Sequence, residues 1–461
     1  MKKIYDLTEG SILKKLLLVA LPVLLTTIAQ MAYNLTDMFW IGRVDQIGMI
    51  ETDAITAVGT VSYVTWFAFG FILIAKIGAS VKISHAVGEK KHHKIDIFAT
   101  NGLFLELIFG LFFSAMIFIF KEEFLSIFNI ENQRIIDYAL MYIPIIGGFL
   151  FIQFLSNGFS AINQGLGQTK INLIILAIGF LLNIVLDPLL ILGLRMGIRG
   201  AAIATVFSQA VTLTIFFLVY KRHNPNIKLF RIKNINFKAI KEIIKVGFPV
   251  GIHSMLFTSI SIYIAIIIFK YGENVVAAQR IGSQIEQLTW MIGSGFQTAI
   301  TVYVGQNFGA RAFKRIKKGI LYISSILVPY SFLVAGLIYF KSEWLMRIFI
   351  DDPITIANGV KYLRIISLAQ IFMMFEAIGA GLFNGLGKSL VPSLTGVIGN
   401  LARIPMAILF AISLNEIGIW WALNISDISK GSIMLIASII IFTRLDKIKF
   451  KNIIVKQESL G

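Results

Sequence analysis

Twelve separate stretches of this chain are apolar over the roughly 20 residues that a helix needs to cross a bilayer. They fall at 14–41, 53–76, 95–120, 137–158, 170–194, 199–220, 242–270, 275–300, 319–340, 354–383, 388–413 and 418–442. In lipid every backbone N–H and C=O must be satisfied within the segment, which commits each stretch to helix. The fold predicted is therefore an all-α integral membrane protein of twelve transmembrane helices. Only 15% of the 461 residues are charged and 57% are hydrophobic, whereas soluble domains carry about 25% charged residues. The segments between the stretches are short except 221–241, which excludes a large soluble enzyme. With no cysteine, disulfide scaffolds, thiolate metal sites and cysteine nucleophiles are excluded too. The first stretch does not read as a cleaved signal peptide: it runs past Thr26-Thr27 without a small-x-small pattern and then carries Asp37. The sequons at Asn34 and Asn424 fall inside stretches and are discarded.

A formal net charge of +17 raises the question of nucleic acid, and the position of the charges answers it. With an even number of helices both termini share a side. That side holds 28 of the 42 Lys and Arg, in the termini and in the connections after stretches 2, 4, 6, 8 and 10. The opposite side holds ten, and Lys76, Arg280, Arg403 and Lys430 lie within stretches. This is positive-inside asymmetry. Both termini are expected in the cytoplasm, and no nucleic-acid partner is expected.

The long connector divides the chain in two: an N-terminal lobe at 1–220, a cytoplasmic linker at 221–241, a C-terminal lobe at 242–443 and a basic tail at 444–461. Ile235, Phe237, Ile240 and Ile243/Ile244 suggest a short helix on the membrane surface. The halves echo one another in order. Leu21-Pro22-Val23 parallels Phe248-Pro249-Val250, and Gly88-Glu89-Lys90 parallels Gly305-Gln306-Asn307. The run 163–169 parallels 384–389, and Asn183…Asp187-Pro188 parallels Asn400…Pro405. Repeats of six spans share orientation, so two pseudo-symmetric six-helix lobes around a central cavity are expected, an arrangement suited to alternating access. Gly385-Leu-Gly-Lys388-Ser389 looks like the end of a phosphate-binding loop, but Leu382 stands where the upstream glycine belongs. It reads as a helix–helix turn, and any pumping must draw on an ion gradient.

Ionisable residues at bilayer depth are functional candidates by default. At 1.5 Å per residue from the nearest basic anchor, Asp37 lies about 33 Å in, Asp187 and Thr205 about 26 Å, Asn183 about 20 Å and Glu106 about 18 Å. The N-lobe shows no base at comparable depth apart from Arg195 and Arg199 at the outer rim. Asp37, Asn183, Asp187 and Thr205 offer only oxygen, which suits Na⁺ or a carboxyl that carries a proton. An interfacial Asp37 is the competing reading. Pro188 frees carbonyls beside Asp187 and Pro22 can kink the first helix, so both are hinge candidates. Gln30, Tyr33 and Asn34, with Gln153 and Asn157, form polar strips that read as cavity lining or as interhelical hydrogen bonds. In the C-lobe Glu376, Arg403, Asp427 and Lys430 share one level, about 18–26 Å deep. They read as an ion-pair network, with Glu376 as an alternative counter-charge for substrate. Glu286 and Arg280 are six apart and need other partners. His85, His92 and His93 read as solvated loop residues, and His253 as packed or cavity-lining.

These residues resemble the multidrug and toxic compound extrusion (MATE) transporters over almost the whole chain. The resemblance rests on Leu7-Thr-Glu-Gly-Ser11, Pro22 with Tyr33 and Asp37, Gly88-Glu-Lys90, Asn183-x-x-x-Asp187-Pro188, Gly200-Ala-Ala-Ile-Ala-Thr205, Val304-Gly-Gln-Asn307 and Gly418-Ile-Trp-Trp-Ala422. It implies a V-shaped, two-lobed exporter of organic cations or amphipathic compounds in exchange for H⁺ or Na⁺, without a cofactor and not an enzyme. It implies a monomer in the plasma membrane of a prokaryote. It also implies a cation site at Asp37, Asn183, Asp187 and Thr205, as in the DinF-like branch. The acid that some relatives carry on helix 7 is missing from Pro249-Val-Gly-Ile-His-Ser-Met-Leu-Phe257, while Glu376 sits near their helix-10 acid. A lipid flippase of the same superfamily is the alternative, but it would want a basic cavity. A polytopic membrane enzyme would need an interfacial catalytic set that the loops lack.

Overall fold

The computed structural model describes residues 6–128, 130–223 and 234–445. Within them the regular elements are all helical. The first half runs α1 (Ile12–Ile41), α2 (Glu51–Gly88), α3 (His92–Ile119), the short α4 (Lys121–Ser126), α5 (Gln133–Gly148), α6 (Leu150–Gly165), α7 (Thr169–Pro188) and α8 (Ile198–His223). The second runs α9 (Phe237–Phe269), α10 (Glu273–Gly309), α11 (Phe313–Phe340), the short α12 (Ser342–Arg347), α13 (Pro353–Ser367), α14 (Gln370–Gly385), α15 (Leu390–Leu414) and α16 (Glu416–Arg444). Among the described residues nine helices are long and apolar enough to span a membrane, and α5–α6 and α13–α14 make two more, bent by 43° and 47°. The first bend falls beside Gly147-Gly148, where helix propensity is weakest. The twelfth span is α10, long enough at 37 residues but studded with Gln279, Arg280, Gln284, Glu286 and Gln287.

Two pairs of turns reveal the internal repeat. The α2–α3 and α10–α11 turns put Lys90 and Arg311 in the left-handed region, at φ 58° and 57°. The α6–α7 and α14–α15 turns do the same with Gly167 and Gly387. Each turn closes with a bond that caps the preceding helix: Lys91 N to Ala86 O, Ala312 N to Asn307 O, Gln168 N to Asn163 O and Lys388 N to Phe383 O, at 2.7–3.0 Å. The phosphate-loop look-alike is thus one of four equivalent helix ends. The same turns correct the register of the repeat. Gly88 matches Gly309 rather than Gly305. Counting along α7 and α15 from their paired turns puts Asn183 opposite Arg403 rather than Asn400. Helices repeat every turn, and the similar string one turn earlier on α10 drew the sequence match off.

The buried cores show how the lobes meet. One cluster is drawn wholly from the first half, around Val58, Phe113, Phe154 and Ile198. Another is drawn wholly from the second half, around Ile264, Met346, Leu363 and Trp420. At the end bearing the lysine-rich turns, here termed the basic end, the clusters mix. Leu16, Val19 and Ala20 of α1 pack with α10, α11 and α14, and Ile243 of α9 packs with α2, α3 and α6. The lobes are therefore joined at the basic end and part towards the other. The seam runs α2 against α9 and α10, with α1 against α10. A methyl group on Gly78, Gly247, Gly88 or Gly309 would strike the carbonyl of Ile243, Ile74, Gln306 or His85 across it. Two cross-lobe bonds related by the repeat fasten it: His85 Nε2 to Gly385 O at 2.7 Å and Gln306 Nε2 to Gly165 O at 3.2 Å.

Two expectations change here. His85 is not a solvated loop residue, because α2 stays helical to Gly88 and buries it in the seam. Residues 237–241, expected in a separate surface helix, are the first turns of α9, capped by the Asn236 side chain. The rest of the linker at 224–233 and the basic tail beyond Leu445 lie outside the described residues. At Pro22, α1 runs on without a break, and Thr26 Oγ1 donates to the Pro22 carbonyl at 2.8 Å.

Candidate functional site

The first lobe gathers its oxygens where α1, α7, α8 and α5 meet. On α7, Asn183 and Asp187 lie one turn apart on one face. Pro188 has no N–H to donate, and the chain continues as a π-helical turn at Leu189–Gly193. Helix α1 packs along α7, and the Tyr33 ring stacks on Phe180 with centroids 5.3 Å apart. One turn beyond Tyr33, Asp37 faces the same region. From α8, Thr205 Oγ1 accepts a bond from Asn183 Nδ2 at 3.4 Å. Asn183, Asp187 and Thr205 are buried. Asp37 Oδ1, Asn183 Oδ1 and both Asp187 carboxylate oxygens have no hydrogen-bond partner. The charges of Asp37 and Asp187 act on one another and on the hydroxyls of Tyr33 and Tyr142. The structure thus brings the four expected oxygen residues together. It adds Tyr142 of α5, whose one available signal was Tyr138 a turn earlier on the same face.

Among the described residues no Lys or Arg pairs with Asp37 or Asp187. Two carboxylates, an amide oxygen and a hydroxyl form a hard-donor set suited to Na⁺ or to protons. No group of three or more His, Cys, Asp or Glu suited to a metal ion occurs among the described residues.

The other first-lobe candidates divide. Gln30 and Asn34 are exposed on α1. Asn157 on α6 turns inward, where its Oδ1 accepts from Lys76 Nζ on α2 at 2.9 Å and its Nδ2 donates to Gln153 O. Lys76 also acts on Glu106 of α3, which is fully buried. This corrects the expectation of a first lobe without a base at depth. Lys76 lies on the third turn before Gly88, and the helical overrun past the apolar stretch carries it inward.

The second lobe solves its polarity internally. Asp427 accepts from Arg403 at 2.5 Å and from Lys430 at 2.8 Å, and Lys430 reaches Glu376 at 3.6 Å. Arg403 Nε also donates to Ser426, Lys430 Nζ to Asn400, and Asn400 meets His253 Nε2 at 3.3 Å. Glu286 accepts from Tyr362 OH at 3.3 Å. Glu376 and His253 also line a cavity of about 140 Å³ with Trp290, Gln297 and Met373. That is below the roughly 300–1,000 Å³ of drug-sized sites. Glu376 is thus both paired and cavity-facing. A larger cavity of about 1040 Å³ opens at the basic end, lined by Lys82, Lys91, Lys94 and Lys238 with Glu89 and Glu242.

Two helical lobes, joined at one end and parted at the other, with unpaired oxygens buried in one of them, define a multi-pass membrane transporter. The chain belongs to the MatE family, whose profile matches residues 22–189 and 249–409. It is 28% identical over 434 residues to the probable multidrug resistance protein NorM of Thermotoga maritima, covering 92% of this chain and 91% of that one. It is 22% identical over 432 residues to the multidrug export protein MepA of Staphylococcus haemolyticus, covering 92% and 93%. Among solved structures, an outward-facing MATE family transporter of the MOP superfamily superposes with a TM-score of 0.87 at 20% identity, covering 96% of this chain and 99% of that one. A MATE structure described as the bent conformation superposes at 0.88 and 21%, covering 96% and 98%.

Proposed function

We propose that this protein is a secondary multidrug exporter that antiports organic cations or other amphipathic compounds against H⁺ or Na⁺. The observation that carries the reading is the set of buried oxygens on Asp37, Asn183 and Asp187 that have no partner and no neighbouring base. A bare carboxylate there would be very unfavourable, so the site must take up a proton or a cation. Arg403 and Lys430 are neutralised by acids of their own lobe, so they offer no free basic cavity for a lipid phosphate, which speaks against a flippase. The names of the relatives, multidrug resistance and export proteins, support the substrate class. The basic end, with both termini, faces the cytoplasm of a prokaryotic cell, and the monomer is the working unit. In the cycle, the ion enters from outside and loads Asp37 and Asp187 while α1 bends near Pro22. Drug then leaves outward, and the lobes rock to discharge the ion inward. Coupling requires that each ligand favour a different state.

The test is export of a fluorescent organic cation from proteoliposomes, driven separately by imposed Na⁺ and pH gradients, with wild type beside Asp37→Asn. Export under one gradient, lost in the variant, supports the antiporter and names its ion. Full gradient-driven export by a correctly inserted Asp37→Asn protein would sink the site assignment.

A further inference from the structure

We propose that Glu106, Lys76 and Asn157 form a second proton-carrying site in the first lobe. Glu106 holds a proton while Lys76 is bound to Asn157, and releases it when Lys76 turns from Asn157 to Glu106. The role of this site in transport rests on the export reading; its chemistry does not.

Glu106 is fully buried on α3, and neither of its carboxyl oxygens has a hydrogen-bond partner. Helix α6 passes directly over it, so that a methyl group on Gly158 would press on Glu106 Cγ. Lys76 on α2 is the charged group whose field reaches Glu106. Helices α5, α6 and α9, which also pack on α3, bring no other charge to it among the described residues. Yet the two form no ion pair, because Lys76 Nζ is held by Asn157 Oδ1 at 2.9 Å. An ionised carboxylate with no hydrogen bond and no contacting cation is not tolerated in an apolar interior, whereas the neutral acid is. The trio as it stands is therefore one proton on Glu106 and one positive charge on Lys76.

Asn157 is the movable partner. It lies on the polar face of α6 with Gln153 and is only partly buried. A ligand or water that takes up its amide oxygen leaves the ammonium without an acceptor, and Glu106 is the alternative within reach of its field. Contact with Lys76 stabilises the carboxylate. The Glu106 O–H bond then breaks, water takes the proton, and the net charge of the trio falls from +1 to zero.

The test uses the full-length protein in lipid nanodiscs and needs no substrate. The infrared difference spectrum of wild type minus Glu106→Gln at neutral pH is expected to contain the C=O stretch of a protonated carboxyl. Carboxylate bands in its place would overturn the proposal. Asn157→Leu removes the acceptor of Lys76, and the protonated-carboxyl band is expected to be lost; a band of undiminished intensity would overturn the switch. Lys76→Met covers the case in which Asn157→Leu does not fold. It removes the charge that favours ionisation, so the band is expected to persist at least one pH unit further into the alkaline range than in wild type. An unchanged midpoint would overturn the role of Lys76. These outcomes stand even if no gradient drives export, so failure of the antiporter reading is separately visible.

Discussion

Matched positions in the two lobes carry opposite chemistry. Thr212 of α8 lies against Gly179 of α7, and at the same place in the second lobe Lys430 of α16 lies against Gly399 of α15. Asn183 stands where the second lobe has Arg403. Each residue of the first lobe is a neutral oxygen bearer, and its counterpart is a cation tied to Asp427. One scaffold thus holds polar groups in an apolar slab in two ways. The second lobe supplies carboxylates for both of its buried cations, Arg403 and Lys430. The first leaves Asp187 and Asp37 without a neighbouring base, a charge that the antiporter proposal has a mobile ion supply. On the antiporter proposal, the first lobe is the one that responds to an ion gradient.

The largest expected effect attacks the pairing in the second lobe. Asp427→Asn takes the carboxylate partner from Arg403 and the nearer of two from Lys430, and should lower stability by about 3–5 kcal/mol, read as thermal unfolding in detergent. Adding Arg403→Met should recover part of that loss. A neutral Asp427→Asn would mean the network is not closed, and the contrast between the lobes would fail. Next is Asp187→Asn, which should leave stability unchanged or improved while gradient-driven export falls by about 100-fold, at the upper end of ordinary coupling energies. Reconstituted transport beside unfolding curves separates the two effects. Glu376→Gln sharpens the contrast, because Lys430 keeps its closer partner Asp427. A change of about 1 kcal/mol is expected, with export retained. If Glu376→Gln instead abolished export as Asp187→Asn does, the second lobe would carry an ion as well.

The smallest effect lies at the basic end. Burial pushes the Glu89 carboxyl up, but Lys94 at 2.8 Å and Lys91 at 3.5 Å outweigh it and hold it below the usual carboxylate range. A lowered folded-state value contributes stability above the ordinary range, and that contribution is lost as pH falls through the lowered value. Wild type should therefore exceed Glu89→Gln by less than about 1 kcal/mol at neutral pH. The gap should close in acid, which a pH series of unfolding curves would record.

Much of this was legible beforehand, for reasons that show in particular residues. Twelve spans can be read because lipid forces long apolar runs. Asp37, Asn183, Asp187 and Thr205 stood out because polar atoms are rare at that depth. The second-lobe cluster stood out because four charges fell on one level. What sequence hid was angular and tertiary. Lys76 counts as a charge in a span, but only the packing of α2 on α3 and α6 shows that it answers Asn157 and Glu106. His85 sits in a polar stretch, and nothing local reveals that α2 persists past it into the seam. The repeat register slipped by a turn because strings one turn apart on a helix are easily exchanged. Tyr142 hid in an apolar run, where an aromatic ring is ordinarily packing.

The seam between α2 and its partners also governs how such a chain can change over time. Gly78, Gly88, Gly247 and Gly309 lie against carbonyls, Gly78 against the Ile243 side chain as well. An overlarge side chain can be answered by a smaller neighbour, but a carbonyl cannot be trimmed. These four positions have no compensating second mutation available to them. A mutational survey should trace the joint as a narrow line that rejects even alanine. Exposed positions such as Leu181, Val185 and Ile398 should accept almost any apolar residue.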